Sequence, residues 1–373
     1  MALRIGLIGC GVISGAYLKA APGFPVLDMA ACADVRPEAA AATASEHGLR
    51  AMSVEDLLGA GDIDVVLNLT TPAHHRNVDV AALEAGKHVY SEKPLALDLA
   101  EGRAILDAAS ANGLRVGCAP DTFLGGSHQA ARAAVDDGRI GQVLSGTATM
   151  MVPGHEAWHP NPDFYYQAGG GPLFDMGPYY LTALVNLLGP VARVTAIAGR
   201  GYRERSIGSG PRAGETVAVE VDTHVAAFLG FASGAQVTLT TSFDVRAHGH
   251  AHIELYGTGG SLRCADPNRF DGNVMVTPGG RDAEWTAVDN PFRYADGNYR
   301  ILGLADMAEA ILEDRPHRAS LDLSLHVLAV MDTILTAAEQ GRTLDVPHPA
   351  GRPAPLDPAR PVGAQSSISD LSS

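Results

Sequence analysis

The sequence predicts an α/β chain in two parts: a doubly wound parallel sheet first, then an α/β part built on a large, mostly antiparallel open sheet. Three observations predict it. As far as Ala119, continuous apolar runs alternate with helical stretches, the rhythm of parallel strands buried on both faces and joined by helices. After Pro120, long β-type segments follow one another with hairpin-like punctuation at Ser233-Gly234 and Gly257-Thr258-Gly259-Gly260. The 373 residues also exceed what a single core usually organises. The expected division is residues 1–122, residues 123–345, and an extended C-terminal tail over 346–373.

Leu3–Ile8 is an unbroken apolar run, and Gly9-Cys10-Gly11-Val12-Ile13-Ser14-Gly15 follows at once, with a helix starting near Ser14. The run Val26–Ala33 ends at Asp34. Pro37 then opens an Ala-rich helix that Gly48 closes. Ser53-Val54-Glu55-Asp56 is a capping start. Ile63–Leu69 is the next buried strand, ended by Thr70-Thr71-Pro72; Asn77–Ala85 is helical and stopped by Gly86. Val89–Ser91 is a short strand that runs into Glu92-Lys93-Pro94. Asp98 caps a helix ended by Asn112-Gly113, and Val116–Ala119 is one more strand.

In the second part a helix is expected near Gln129–Asp137 and another over Pro178–Leu188. Strand segments are expected at Gly141–Val152, Val191–Gly201, Val217–Phe231, Ala235–Phe243 and Ile253–Tyr256. Leu302–Glu313 and Leu321–Gln340 are late helices covering one face. Beyond Gly341 the chain is Pro-rich and then Ser-rich, so its ends are expected to fray.

A net charge of -15 with no basic patch argues against nucleic acid. Cys10, Cys32, Cys118 and Cys264 are far apart, which suits small buried hydrophobes, not a disulfide framework or a metal knuckle. Met1 leads directly into the first strand, so no signal peptide is expected, and no apolar run is expected to span a bilayer. The expectation is a cytoplasmic protein without a membrane partner.

The glycine loop carries the first functional signal. Gly9 permits a tight turn, Gly11 lets backbone approach a pyrophosphate, and Ser14 takes the third, small-residue position. Asp34 ends the second strand about 20 residues later, where an acid would bind ribose hydroxyls. A carboxylate there favours NAD, and Arg36 leaves NADP possible. Such a strand–turn–helix is the opening of a dinucleotide-binding Rossmann domain.

Glu92-Lys93-Pro94 carries the second. Ion pairs at strand ends are mostly surface features, but carboxyl ends of parallel strands are where this architecture binds ligands, and Pro94 fixes the direction of the chain at Lys93. A lysine that is partly desolvated and close to a cationic nicotinamide should have a lowered pKa.

These stretches resemble the glucose-fructose oxidoreductase / inositol dehydrogenase (Gfo/Idh/MocA) family. The matching features are the Gly-rich first turn, Thr71-Pro72 with His75, Ala85-Gly86-Lys87-His88-Val89, Glu92-Lys93-Pro94, and Gly169-Gly170-Gly171-Pro172-Leu173-Phe174-Asp175-Met176-Gly177. The resemblance implies NAD(P)-dependent oxidation or reduction of sugars, polyols and related alcohols, on a Rossmann domain followed by an open-sheet domain. It also implies a homo-oligomer (dimer or tetramer) formed through that sheet. Lys93 is then the residue expected to exchange the substrate hydroxyl proton, acting with Asp175. The family usually places a histidine four residues after that aspartate; this chain has Tyr179. With a reference pKa of about 10, tyrosine needs help to ionise, so Tyr179 is either an acid/base or only a hydrogen-bonding partner of the substrate. The expected cofactor-binding residues are Gly9, Gly11, Val12, Ile13, Asp34, Arg36, Thr70, Thr71, Pro72, His75, Glu92 and Lys93.

His155-Glu156-Ala157-Trp158-His159 matches the H-E-x-x-H zinc pattern, which works only on a helix. Pro153-Gly154 and Pro160-Asn161-Pro162 argue against a sustained helix, so the expectation is a loop over the site and no metal. In that loop His155, Trp158, His159 and Tyr165 would hold substrate, unless the aromatic loop is purely structural, with Tyr180 and Asp121 as further candidates; Asp121 could instead cap the following turn. His248, His250 and His252 would alternate along a strand and point to one side, as a solvent-facing or interface strand in preference to a metal site. The expected reaction oxidises a ring hydroxyl of a sugar, glycoside or cyclic polyol to a ketone. A redox-neutral glycoside cleavage or elimination through transient oxidation is the alternative. A nicotinamide-sensing regulator is a third reading, against which Lys93 speaks.

Overall fold

The structure is a computed structural model and describes residues 2–280 and 283–363. Six strands form an all-parallel sheet: β1 (Leu3–Ile8), β2 (Leu27–Ala33), β3 (Arg50–Met52), β4 (Val65–Asn68), β5 (His88–Ser91) and β6 (Val116–Cys118). Their order is β3-β2-β1-β4-β5-β6, so the direction of winding reverses between β1 and β4 and opens a crevice at their carboxyl ends. The connecting helices are α1 (Ser14–Ala20), α2 (Pro37–His47), α3 (Val54–Gly59), α4 (His75–Glu84) and α5 (Leu99–Asn112). Local signals set their ends. Ser53 Oγ accepts from Asp56 N–H (3.0 Å) and Asp98 Oδ1 from Glu101 N–H (2.8 Å), while Gly48 and Gly113 close α2 and α5 in the left-handed conformation. The short β3, mostly exposed, has no apolar run to announce it.

The second part opens with α6 (Gly126–Asp136), β7 (Val143–Met151), α7 (Gly171–Leu188) and β8 (Val191–Gly199). β9 (Glu204–Ser206) and β10 (Thr216–Ala218) pair as a small separate ribbon. Then come β11 (His224–Phe231), β12 (Gln236–Ser242), β13 (Ile253–Gly257), β14 (Gly260–Cys264), β15 (Met275–Thr277), β16 (Thr286–Ala287), α8 (Leu302–Leu312), α9 (Leu321–Gln340) and β17 (Leu344–Asp345). The large sheet has nine strands in the order β16-β15-β14-β13-β7-β12-β11-β8-β17, antiparallel except for the β12–β7 pair. Inward residues such as Val225, Ala227, Leu229, Val237 and Leu239 are buried, with α7 and α9 packed on the sheet. Alternate residues point the other way and leave Ile197 (78 % exposed) and Phe228 (66 %) uncovered.

Several expectations needed correction. α7 starts at Gly171, well before Pro178, which lies inside it. The helix is buried almost from end to end, and that packing outweighs the local cost of a proline. The stretch Val217–Phe231 is two strands, because the chain leaves β9 after β10 and joins β8 and β12 as β11. α9 is long and apolar enough to cross a membrane by length and composition. In the fold it packs against β8, α7 and α5, and that core position accounts for its apolar residues. The last described residues run extended but anchored: Leu356 and Val362 are buried, and Leu356 N–H donates to Gln129 Oε1 (2.8 Å). The Ser-rich end lies outside the described residues.

The two parts meet along β6. The α8–α9 connection lies on its outer edge, where Cys118 N–H donates to Ala319 O (3.1 Å), and α9 crosses α5. This seam holds the carboxyl ends of β4, β5 and β6 facing α7.

Candidate active site

β5 is buried, Val89 and Tyr90 fully so, and it delivers Glu92 and Lys93 to the seam. Glu92 is fixed from two directions: Oε1 accepts from Tyr17 O–H of α1 (2.8 Å) and Oε2 from the Lys93 N–H (2.9 Å). It therefore orients the backbone that carries the lysine. His75, fully buried, lies with Nδ1 2.7 Å from Pro94 O and Nε2 3.0 Å from Thr70 O, pinning the loop after β4 to the loop after β5. Burial pushes its pKa below the usual range, against the pull of the two carbonyls.

Lys93 Nζ donates to Asp175 O (2.7 Å) and to Asp175 Oδ1 (3.0 Å), reaching from β5 to the first turns of α7. The other carboxylate oxygen, Oδ2, lies 3.0 Å from His155 Nε2. Burial raises the Asp175 pKa, but the Lys93 ammonium and the His155 contact outweigh it and hold the carboxyl down at about 2. For Lys93, burial acts downwards while Asp175, Tyr179 and Glu92 act upwards and prevail, so its pKa is raised. That reverses the depression expected from the sequence, which did not foresee a carboxylate in direct contact.

Tyr179, one turn after Asp175 on α7, lays its ring against the lysine, with Nζ 5.2 Å from the ring centroid. Its hydroxyl turns to Arg300, whose Nη2 donates to it at 3.4 Å. Burial raises the Tyr179 pKa, so the hydroxyl stays neutral. Arg300 is a site residue that the sequence reading missed. It sits in an irregular segment just before α8, where no motif points to it.

The 153–170 segment forms the loop over Lys93. His155 lies among the rings of Trp158, Tyr165 and Phe243, with centroids 5.3, 4.5 and 4.7 Å away. Trp158 is 59 % exposed, and His159 packs edge-on against Phe164 and Tyr165. Glu156 faces away from the site: it pairs with Arg205 (2.8 Å) and accepts from the Tyr166 hydroxyl. Residues 155–159 make a single turn, and among the described residues no group of side chains is arranged to hold a metal ion. The H-E-x-x-H string is thus a loop with its glutamate spent on an anchor.

The glycine loop lies at the end of β1, across the crevice from β4. Gly9 has φ +102°, and a Cβ there would come within 2.6 Å of the Leu69 backbone, so only glycine fits. At Gly11 a Cβ would meet no protein atom. The N–H groups of Gly11, Val12 and Ile13 have no acceptor among the described residues, whereas Gly9 N–H is used by Ala33 O and Cys10 N–H by Asp34 Oδ2 (2.9 Å). Free donors on an open loop suit a pyrophosphate. Val12 and Val35 stand fully exposed beside this loop and the end of β2, offering apolar surface to flat rings. Asp34 Oδ1 accepts from the Arg36 N–H (2.9 Å), with Arg36 Nε 3.4 Å away. Thr70 is tied to Asn68 Oδ1 (2.7 Å), and Thr71 and Pro72 follow on the same rim. These residues fit a dinucleotide.

Three expected positions fall elsewhere. Asp121 is buried, and its Oδ2 accepts from Ile301 N–H and Gly303 N–H (both 3.0 Å), so it holds the start of α8 and not a substrate. Tyr180 points away from Lys93 along the next face of α7, where its hydroxyl meets His252 Nδ1 (2.9 Å). His75 is shut beneath the crevice and acts through the loops it joins. His248, His250 and His252 precede β13 outside the assigned strands, and among the described residues only His252 of the three touches the sheet, its carbonyl accepting from the Thr149 N–H of β7 (2.8 Å).

Comparison with known proteins agrees with this geometry. The model of the oxidoreductase family with an NAD-binding Rossmann fold matches residues 3–119, and that of the GFO/IDH/MocA C-terminal domain matches residues 128–263. The chain is 31% identical to inositol 2-dehydrogenase of Rhizobium meliloti, across 70% of this chain and 75% of that protein. Levoglucosan dehydrogenase of Pseudarthrobacter phenanthrenivorans is 27% identical, over 93% of this chain and 98% of its own. A solved structure of levoglucosan dehydrogenase in complex with NADH superposes with a TM-score of 0.79 at 25% identity, covering 93% of this chain and all of the other. The chain belongs to the GFO/IDH/MocA family and is an NAD-binding oxidoreductase.

Proposed function

We propose that the protein oxidises a ring hydroxyl of a sugar, glycoside or cyclic polyol to a ketone, with Lys93 as the acid/base. The observation that carries this reading is the contact of Lys93 with Asp175, and of Asp175 with His155, at the carboxyl end of β5, on the same edge of the parallel sheet as the glycine loop that follows β1. A bound nicotinamide supplies the hydride acceptor, and its positive charge opposes that of the Lys93 ammonium. Gly11, Val12 and Ile13 would hold the pyrophosphate, Asp34 the adenosine ribose, and Thr70, Thr71 and Pro72 the rim near the nicotinamide.

Lys93 must first lose its proton before it can take one from a substrate hydroxyl. Asp175 links its amine to the His155 imidazole, and this line leads from the buried lysine to the loop, giving the proton a way out. As the carbinol carbon is oxidised, the hydroxyl proton would pass to the deprotonated Lys93 Nζ, which Asp175 holds in place. Trp158, His159 and Tyr165 form the wall that a sugar ring would meet, with an aromatic face for its apolar side. The names of the relatives, inositol 2-dehydrogenase and levoglucosan dehydrogenase, agree with a cyclic polyhydroxylated substrate. The uncovered sheet face with Ile197 and Phe228 supports a homo-oligomer.

Incubation of the protein with NAD and a panel of sugars, glycosides and inositols tests this. NADH accumulation with a subset is the expected outcome. Product without NADH would point to the redox-neutral reaction instead.

A further inference from the structure

Arg300 is half-buried at the edge of the site, and it differs from the other arginines in what surrounds it. Each other buried or half-buried arginine among the described residues has a carboxylate within 4.0 Å. Arg300 has none; its partners are Asn268 Oδ1 (2.7 Å), Asn298 Oδ1 (3.3 Å) and the Tyr179 hydroxyl (3.4 Å). All are neutral. The nearby carboxylates are engaged elsewhere, Glu92 with the Tyr17 hydroxyl and the Lys93 N–H, and Asp121 with backbone N–H groups.

The backbone holds the guanidinium there against local preference. Ile301, the next residue, has φ +119°, an outlier for a β-branched side chain. Asp121 secures this turn through the Ile301 and Gly303 N–H groups. Such strain is characteristic of ligand clamps. The Tyr179 ring connects Arg300 to the lysine, with Lys93 Nζ 5.2 Å and Arg300 Cζ 6.0 Å from its centroid. Arg300 is therefore a cation without a carboxylate partner, held within reach of the same small molecule as Lys93, in a chain whose net charge of -15 disfavours anions elsewhere.

We propose that the substrate is an anionic polyol, whose terminal oxyanion is bound by Arg300 while the hydroxyl to be oxidised lies at Lys93. A guanidinium matches the paired oxygens of a carboxylate or phosphate, and Asn268 Nδ2 adds a donor beside it. The proposal rests on the dehydrogenase reading for the role of Lys93, but its test is a binding measurement that does not require turnover.

Titration calorimetry in the presence of NADH compares D-gluconate, D-glucuronate and D-glucose 6-phosphate with the neutral D-glucose and D-glucitol. The expected result is that at least one anionic probe binds about 10- to 100-fold more tightly than its neutral counterpart. Which of the acids or the phosphate gains most identifies the oxyanion. Arg300→Gln should abolish that advantage without changing NADH affinity, and Arg300→Lys should restore part of it. Equal binding of neutral and anionic probes, no binding of any anion, or an anion preference that survives Arg300→Gln would each overturn the proposal. Arg300-dependent anion binding without NADH formation from any substrate would instead count against the dehydrogenase reading alone.

Discussion

His155 Nε2 stands 3.0 Å from Asp175 Oδ2, while Asp175 Oδ1 accepts from Lys93 Nζ at the same distance. One carboxylate thus joins a strand-end lysine to a histidine from a loop, and the histidine does not come from the helix position at which the family usually supplies it. His155→Asn should keep the loop folded but remove the imidazole, lowering kcat about 10- to 100-fold with little change in KM. Added imidazole should restore part of the rate. A loss of rate that imidazole does not rescue would reduce His155 to a support for the loop.

The same contact governs stability at acid pH. The Asp175 carboxyl is held at about 2 against an ordinary 3.8, so its stabilisation is complete above its unfolded pKa and is lost as pH falls through the folded one. The raised Lys93 pKa reports the same interaction from the other side and adds nothing further: it is present below 10.5 and fades only at strongly alkaline pH. The shift corresponds to roughly 2 kcal/mol. Asp175→Asn should therefore lower the urea midpoint at neutral pH, and the gap to wild type should narrow as the pH falls through about 2, where the wild-type carboxyl takes up its proton.

Two glycines of one loop should respond differently to the same substitution. Gly9→Ala forces a Cβ into the Leu69 backbone at a positive φ and should cost stability, on the order of 1–3 kcal/mol. Gly11→Ala meets no protein atom, so the melting temperature should hold while NAD affinity falls at least about tenfold. Thermal melts and fluorescence titrations of both variants check this. A Gly11→Ala protein with unaltered NAD binding would remove the loop from the cofactor site.

Ile197 and Phe228 are exposed on the face of the nine-stranded sheet opposite α7 and α9. If this face joins copies of the chain, Phe228→Asp should shift the protein to a smaller species in analytical ultracentrifugation without altering its circular dichroism. The same mass for both proteins would contradict that interface.

Much of this was legible in the chain because local chemistry and tertiary structure agree there. The glycine loop, Asp34, the Ser53 and Asp98 caps and the α9 bounds all follow from short-range rules that packing reinforces. Proline misled at α7, since burial along the whole helix overrode a local preference that the sequence displays more loudly. The site itself was harder to read. The Lys93–Asp175 pair came from a family motif, but the companionship of His155 and Arg300 depends on how a loop and an irregular segment fold back over β5. No periodicity records such proximity. Asp121 and Tyr180 were misplaced for the matching reason: each neighbours a functional element in sequence but faces a different partner in space.

The most direct test of the acid/base assignment compares wild type with Lys93→Ala for NADH formation, on whichever panel member the wild type oxidises, with NADH affinity measured alongside. Loss of about 10²- to 10⁴-fold in kcat with cofactor binding retained is the expected result. Full activity in Lys93→Ala would contradict it.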